Sequence, residues 1–263
     1  MTNWKEMPAW QHLQKYRPLL YELVVRDLKV KYRRSFLGYL WSLLNPLLMM
    51  AVMSFVFSYI FRYDIENYPL YLICGQTLWG FFNESTNMAM YSVLQNGSLI
   101  KKVYIPKFIF PMSRVFSSFV TMSFSLGAIL IVMLVTRAPL HWQLLLFPLP
   151  LVLLLLFAMG VSMVLSSLSV YFRDVTHLYS VVTLAWMYVT PVFYPVSALP
   201  DEVAWVLKLN PMYYYLDNFR QLVLYGSLPT AKSWCVCLLC SGVALAVGLA
   251  VFRKLQRNFI LYL

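Results

Sequence analysis

Six stretches of this chain are long and apolar enough to bridge a lipid bilayer, and that pattern decides its fold class before any other feature is read. A hydrocarbon core about 30 Å thick needs roughly 20 apolar residues at about 1.5 Å of helical rise each. Gly38 to Phe61, Leu70 to Val93, Phe108 to Thr136, Leu144 to Val170, Leu178 to Val196 and Trp234 to Phe252 supply them. Hydrophobic residues make up 61% of the 263 and charged ones 12%, against roughly 45–50% and 25% in soluble domains. A single water-soluble core stops growing at about 250–300 residues, so the surplus apolar surface needs lipid to face. Pro191 and Pro195, near the end of the fifth stretch, predict irregular backbone there. Lipid tolerates such backbone only where protein or a wet cavity satisfies it.

Charge sets the expected orientation. Of the 21 Lys and Arg residues, 16 fall in the two tails and in the links at 94–114 and 171–177, and 5 in the alternate loops. The positive-inside rule then places both termini in the cytoplasm, with no cleavable leader ahead of the first span. The net charge of +11 reads as orientation and attraction to an anionic leaflet. Nucleic acid is the weaker reading and no nucleic-acid partner is expected, because the basic residues sit between apolar spans and none interleaves with a base-stacking platform.

Ahead of the first span, a helix opening near Pro18 would put Leu19, Leu20, Leu23 and Val24 on one side with Arg17 and Glu22 away from it. That is an amphipathic helix lying in the interface plane. Behind it, Arg26, Lys29, Lys31, Arg33 and Arg34 form a basic collar that suits an anionic lipid surface or a phosphate-bearing substrate. Between the fifth and sixth spans, Ser197 to Lys232 is too apolar for a solvated loop. Asn210 and Pro211 divide it into a helix, a turn and a second helix, expected to re-enter the membrane. The resulting expectation is an all-α integral membrane protein of one domain, 1–263. Residues 1–37 form the interface helix and collar, 38–252 the six spans, and 253–263 a cytoplasmic tail.

Catalytic chemistry finds little to work with. His12, His141 and His177 stand alone, with no second metal ligand at helical spacing. Cys74, Cys235, Cys237 and Cys240 lie in apolar runs, where a thiol behaves as a small hydrophobe. Asp64 and Glu66 form an acidic-x-acidic pattern in the first outer loop, either a solvated turn or the metal ligands of a membrane glycosyltransferase. None of the nine glycines is followed by lysine, so the phosphate-binding loop GxxxxGK(S/T) is absent and ATP-driven work requires a partner.

Glu84 stands apart, well inside the second span within Asn83-Glu84-Ser85-Thr86-Asn87. An ionisable group at that depth faces a bundle interior or a wet cavity, either as a helix-to-helix bond or as part of a path or gate. Aromatic residues form 17% of the chain, and interfacial belts account for most of them. Tyr39, Trp41, Trp79, Phe82, Tyr188 and Tyr194 lie in or near spans, where their rings are candidates for the apolar faces of sugars. From Gln95 to Lys107 the pattern predicts a short amphipathic helix, suited to docking a soluble subunit or to a lipid surface.

Five segments together resemble a known family. Tyr32-Arg33-Arg34-Ser35-Phe36-Leu37-Gly38-Tyr39-Leu40-Trp41-Ser42-Leu43-Leu44-Asn45-Pro46-Leu47 is similar to the start of the first span in ABC-2 type polysaccharide export permeases, which serve O-antigen, capsule and teichoic acid. Asn96-Gly97-Ser98-Leu99-Ile100-Lys101-Lys102-Val103-Tyr104-Ile105-Pro106 and Tyr171-Phe172-Arg173-Asp174-Val175 resemble its two cytoplasmic loops. Thr190-Pro191-Val192-Phe193-Tyr194-Pro195, and Leu209-Asn210-Pro211-Met212 followed by Phe219-Arg220, resemble the fifth span and its outer return. One departure is Lys107-Phe108, where the family commonly has a basic-acidic pair.

The resemblance implies a half-transporter rather than an enzyme. Two copies of the permease would pair with two copies of a separate ATPase, which binds the ATP and Mg, and would pass an undecaprenyl-linked polysaccharide outward between them. It places Arg33 and Arg34 at the cytoplasmic substrate entrance. Leu99, Ile100, Lys101, Lys102 and Val103 would receive motion from the ATPase, and the helices from Asp201 to Leu224 would shape the exit. A polyprenyl-phosphate-dependent glycosyltransferase using Asp64 and Glu66 is the alternative.

Overall fold

A computed structural model describes residues 9–60, 65, 67–198 and 201–263, with side chains from Lys15 onward except at 58–60, 198 and 201–204. Asp64 and Glu66, and the side chain of His12, therefore lie outside the described residues. Every regular element among those described is helical. In chain order the helices are α1 (Ala9–Lys31), α2 (Trp41–Ile60), α3 (Tyr68–Gln95), α4 (Gly97–Lys102), α5 (Ile109–Val135), α6 (Pro148–Tyr171), α7 (Val175–Val189), α8 (Asp201–Leu209), α9 (Pro211–Val223), α10 (Ala231–Leu255) and α11 (Phe259–Tyr262).

Among the described residues, four stretches are long and apolar enough to cross a membrane: Gly38–Phe57, Ile109–Val135, Trp142–Tyr171 and Ala231–Tyr262. They coincide with the first, third, fourth and sixth expected spans. The second, α3, has 28 residues and ample length, but Gln76, Thr77 and the polar run 83–87 dilute its apolarity. The bundle compensates by enclosing α3 among α2, α5, α6 and α9, burying Leu70, Leu72, Ile73, Leu78 and Phe82 completely. The helix least fit for lipid is thus solvated by protein.

The fifth expected span is corrected in length. Helix α7 covers 15 residues, about 22 Å at helical rise, short of a bilayer core. Thr190 takes an extended conformation at its end, as expected of a residue before proline. Four successive carbonyls beyond it are satisfied by side chains. Those of Pro191 and Val192 accept from Arg220 at 2.7 and 2.9 Å, that of Phe193 from the Tyr68 hydroxyl at 2.7 Å, and that of Tyr194 from the Tyr71 hydroxyl at 2.8 Å. Irregular backbone within a membrane protein needs partners of this kind.

Helices α8 and α9 flank the predicted turn. Asn210 caps α9 by accepting from the Met212 N–H at 3.0 Å, with Pro211 at the first helical position, a preferred arrangement for a helix start. Helix α9 docks on α3, α6 and α10.

The N-terminal helix is also corrected. It runs from Ala9 with Pro18 inside it rather than at its start. The expected faces hold: Leu23 is buried and Leu19 and Leu20 pack on the core, while Arg17 and Glu22 are exposed. That apolar face lies on α5. The buried Asp27 carboxylate accepts from Arg114 and Arg26, both at 3.1 Å, fastening α1 across the helix pair.

The tightest seam is between α6 and α10. A β-carbon at Gly160 would collide with the Ala244 backbone, and one at Gly248 with the backbone of Gly160. Small residues four apart let membrane helices approach this closely. The Ser241 hydroxyl seals the seam by donating to the Leu153 carbonyl at 2.7 Å. On the far side α2 is scarcely covered, with 6% of its apolar window buried. Leu48, Met49, Val52 and Phe55 face outward from it.

Candidate functional site

A cavity of about 600 Å³ runs along the face shared by α2, α3 and α5. Lys31, Tyr32, Trp41 and Glu84 line it toward the collar, and Gln76, Thr77, Met187, Val192 and Phe193 line it toward the break after α7. Asn45, Ser118, Thr121 and Ser125 add polar atoms along its length. Gly80 leaves the wall open, since a β-carbon there would meet nothing within 4 Å.

The polar groups on the wall come from four elements that meet there: the end of α1 and helices α2, α3 and α5. Lys31 extends from the last turn of α1 and donates to Glu84 Oε1 at 2.6 Å, while the Ser118 hydroxyl approaches the same oxygen at 3.4 Å. Each partner of the ion pair is about one-third exposed, 34% and 33%, so the pair is wet. Further along, the buried atoms Gln76 Oε1 and Thr77 Oγ1 have no hydrogen-bond partner. Orphaned acceptors and hydroxyls beside a cavity call for water or a hydroxylated ligand.

The candidate residues fall in several places. Trp41 and Trp79 line the cavity with Glu84. Tyr39 sits at its collar end, with its ring 4.9 Å from that of Tyr32. Phe82 is fully buried and stacks on Phe157 at 5.6 Å and edge-on to Trp186 at 5.1 Å, so it belongs to the core rather than to the wall. Tyr188 is 63% exposed on α7, and its carbonyl accepts from the Tyr194 hydroxyl at 2.7 Å. Arg33 and Arg34 are exposed beyond the end of α1. Arg33 borders a separate groove with Glu22, Arg26 and Lys29. Lys31 is the collar residue that reaches the cavity.

The short helix expected between Gln95 and Lys107 is α4, six residues with Gly97 and Ile100 buried. Leu99 is half-buried, and Lys101, Lys102 and Val103 are exposed. Four of the five expected docking residues lie on α4, with Ile100 turned into the protein, and Val103 follows as its extended cap.

The placement of two charged residues escapes a reading of the sequence alone. Lys31 counts there only as one of five collar charges. Arg220 counts as an outer-loop charge, yet it is 4% exposed. Its guanidinium bonds the carbonyls of Tyr71, Pro191 and Val192. Gly75 makes room for it, because a β-carbon there would strike its Nη2. The sequence signal was the separate appearance of Phe219-Arg220 and the Pro191 to Pro195 segment, which the fold brings together.

The model of the ABC-2 type transporter family matches residues 5–224. The chain is 32% identical to the O-antigen export system permease protein RfbA of Myxococcus xanthus, over 95% of this chain and 96% of that one. It is also 32% identical to a permease of the same name from Klebsiella pneumoniae, over 92% and 93%. More distantly, it is 24% identical to the capsule polysaccharide export inner-membrane protein CtrC of Neisseria meningitidis, over 90% of each chain. By the family match over most of its length and by relatives similar over nearly their whole length, the chain belongs to the ABC-2 type transporter family.

Proposed function

We propose that this chain is the membrane-embedded permease of an ATP-driven exporter that carries a lipid-linked polysaccharide out of the bacterial cytoplasm. The observation that supports it most is the cavity itself. Hydroxyl, amide and aromatic side chains along one face suit a sugar polymer, which needs hydrogen-bond partners and flat apolar surfaces and offers no single charge to grip. Relatives similar over nearly their whole length are O-antigen and capsule export permeases. A glycosyltransferase reading gains nothing from them.

In this reading the collar end faces the cytoplasm with both termini, and α8 and α9 shape the outer exit. Lys31, with Arg33 and Arg34 nearby, attracts the pyrophosphate of an undecaprenyl-type lipid. The polymer then passes Trp41, Trp79 and Glu84. Two copies of the chain assemble with two copies of an ATPase, which supplies ATP and Mg chemistry, and α4 receives its motion. The exposed apolar face of α2 suits lipid or the second copy.

The test is purification in mild detergent from cells that depend on this permease for surface glycan. A stoichiometric P-loop subunit and loss of glycan on deletion are expected. A chain that exports glycan from vesicles with no other protein present contradicts the reading.

A further inference from the structure

The last residues of the chain join two loops that are distant in sequence. Lys107, just before α5, donates from Nζ to the Gln256 carbonyl at 2.6 Å and lies 5.5 Å from the centre of the Phe259 ring. Tyr171, the last residue of α6, donates from its hydroxyl to the Leu255 carbonyl at 2.8 Å and packs on Tyr262 at 4.5 Å. The acceptors sit at the C-terminus of α10, Leu255 as its last residue and Gln256 as its cap, where the helix dipole favours a cation. Burial pulls the Lys107 pKa down, and that carbonyl offsets the cost of holding its charge there.

Beyond this turn the chain folds back. Phe259 is fully buried, and α11 touches both α4 and α6. Leu263 closes the packing over Gly97, the first residue of α4. A helix of six residues is unstable on its own. Helix α4 therefore takes its position from what it packs on, and the 256–263 segment supplies part of that support.

We propose that the end of α10 with residues 256–263 is a coupling joint, a positioning element that makes the loop carrying α4 and the loop opening at Tyr171 move as one body during transport. The proposal rests on the ATPase-driven reading above and adds a path to it. A push on α4 reaches Lys107 and the 256–263 segment, and through Tyr171 it reaches α6 and α7. Lys107 and Tyr171 are positioning residues, acting through the α10 terminus rather than on substrate.

The test uses the full permease–ATPase complex in cells whose surface glycan depends on it, with ATP hydrolysis measured on the purified complex. Lys107→Met with Tyr171→Phe should lower glycan exported per ATP hydrolysed by about fivefold or more, a factor typical of coupling between sites. The amount and melting temperature of the complex should stay unchanged, and Lys107→Arg with native Tyr171 should retain export. Export per ATP equal to that of the parent, or a loss that merely follows the amount of complex, overturns the joint.

A second arm locks the segment in place. A β-carbon at residue 97 would sit 3.7 Å from that of Leu263, within the roughly 3.5–4.5 Å of disulfides. Gly97→Cys with Leu263→Cys should therefore cross-link while export continues. Export that stops on oxidation and returns on reduction would show that the segment must leave α4, contrary to the proposal. If no ATPase subunit is retained by the parent chain, the functional reading itself fails, a result distinct from retained but uncoupled hydrolysis.

Discussion

The guanidinium of Arg220 lies 3.5 Å from the centre of the Tyr71 ring and donates two hydrogen bonds to the carbonyl of that same residue. It also holds the carbonyls of Pro191 and Val192, so one side chain pins α9, α3 and the break after α7. Replacing it with Met removes the Val192 carbonyl's side-chain donor, at about 1–3 kcal/mol if no water replaces it, and leaves the Pro191 carbonyl only the Tyr71 hydroxyl at 3.3 Å. Lysine keeps the charge but cannot fork across separated carbonyls. Thermal unfolding of the detergent-solubilised protein should show a large drop for Arg220→Met and a partial one for Arg220→Lys. A lysine variant as stable as the parent would remove the fork from the argument.

The α6–α10 seam gives a cleaner contrast. Gly160→Val and Gly248→Val force backbones apart, an overpacking cost of about 1–3 kcal/mol or more. Gly242→Val adds a side chain where nothing lies within 4 Å and should be nearly neutral. Size-exclusion profiles of the three variants on heating test this order directly.

Glu84 and Lys31 separate function from stability. Their 2.6 Å pair is partly exposed, so breaking it with Glu84→Gln should cost no more than about 1 kcal/mol. Because the pair sits on the cavity wall, surface glycan should nevertheless fall several-fold. The charge-reversed pair, Glu84→Lys with Lys31→Glu, should recover part of that loss. A variant impaired in melting temperature alone would assign Glu84 a structural bond and nothing more.

Asp27 fastens α1. With Asp27→Asn, the half-buried Arg114 loses its carboxylate partner, which in a fully buried pair costs about 3–5 kcal/mol and less here, where Arg114 is partly exposed and Arg26 is exposed. The basic collar should then be cut faster by trypsin at Arg33 and Arg34. Unchanged cleavage kinetics would mean that Leu23 and its apolar neighbours hold the helix without the ion pair.

Much of the bundle was legible because apolar length is a one-dimensional signal. Helices α2, α5, α6 and α10 fall where hydropathy puts them, and Asn210-Pro211 marks the start of α9 through local capping chemistry. The misreadings were all tertiary. Pro18 resembles a helix start because its ring suits the first turn, yet packing on α5 carries the helix through it. The fifth stretch has apolar residues enough for a span, and its prolines mark irregular backbone near the end, but the helix stops earlier, at Val189. Within the site, Glu84 announced itself by its depth. Lys31 and Arg220 did not, since a cation's value here depends on an acceptor more than fifty residues away for Lys31 and on backbone carbonyls for Arg220. Phe82 shows the converse, an aromatic well placed in sequence but turned into the core.

The glycine seam has a mechanical consequence. With Gly160 and Gly248 in backbone contact, α6 and α10 form a single rigid pillar with no side-chain layer to slide upon. The cavity takes no lining from this pillar, so its width is set on the other side of α3, where α2 leans on α3 and α5 with most of its surface uncommitted.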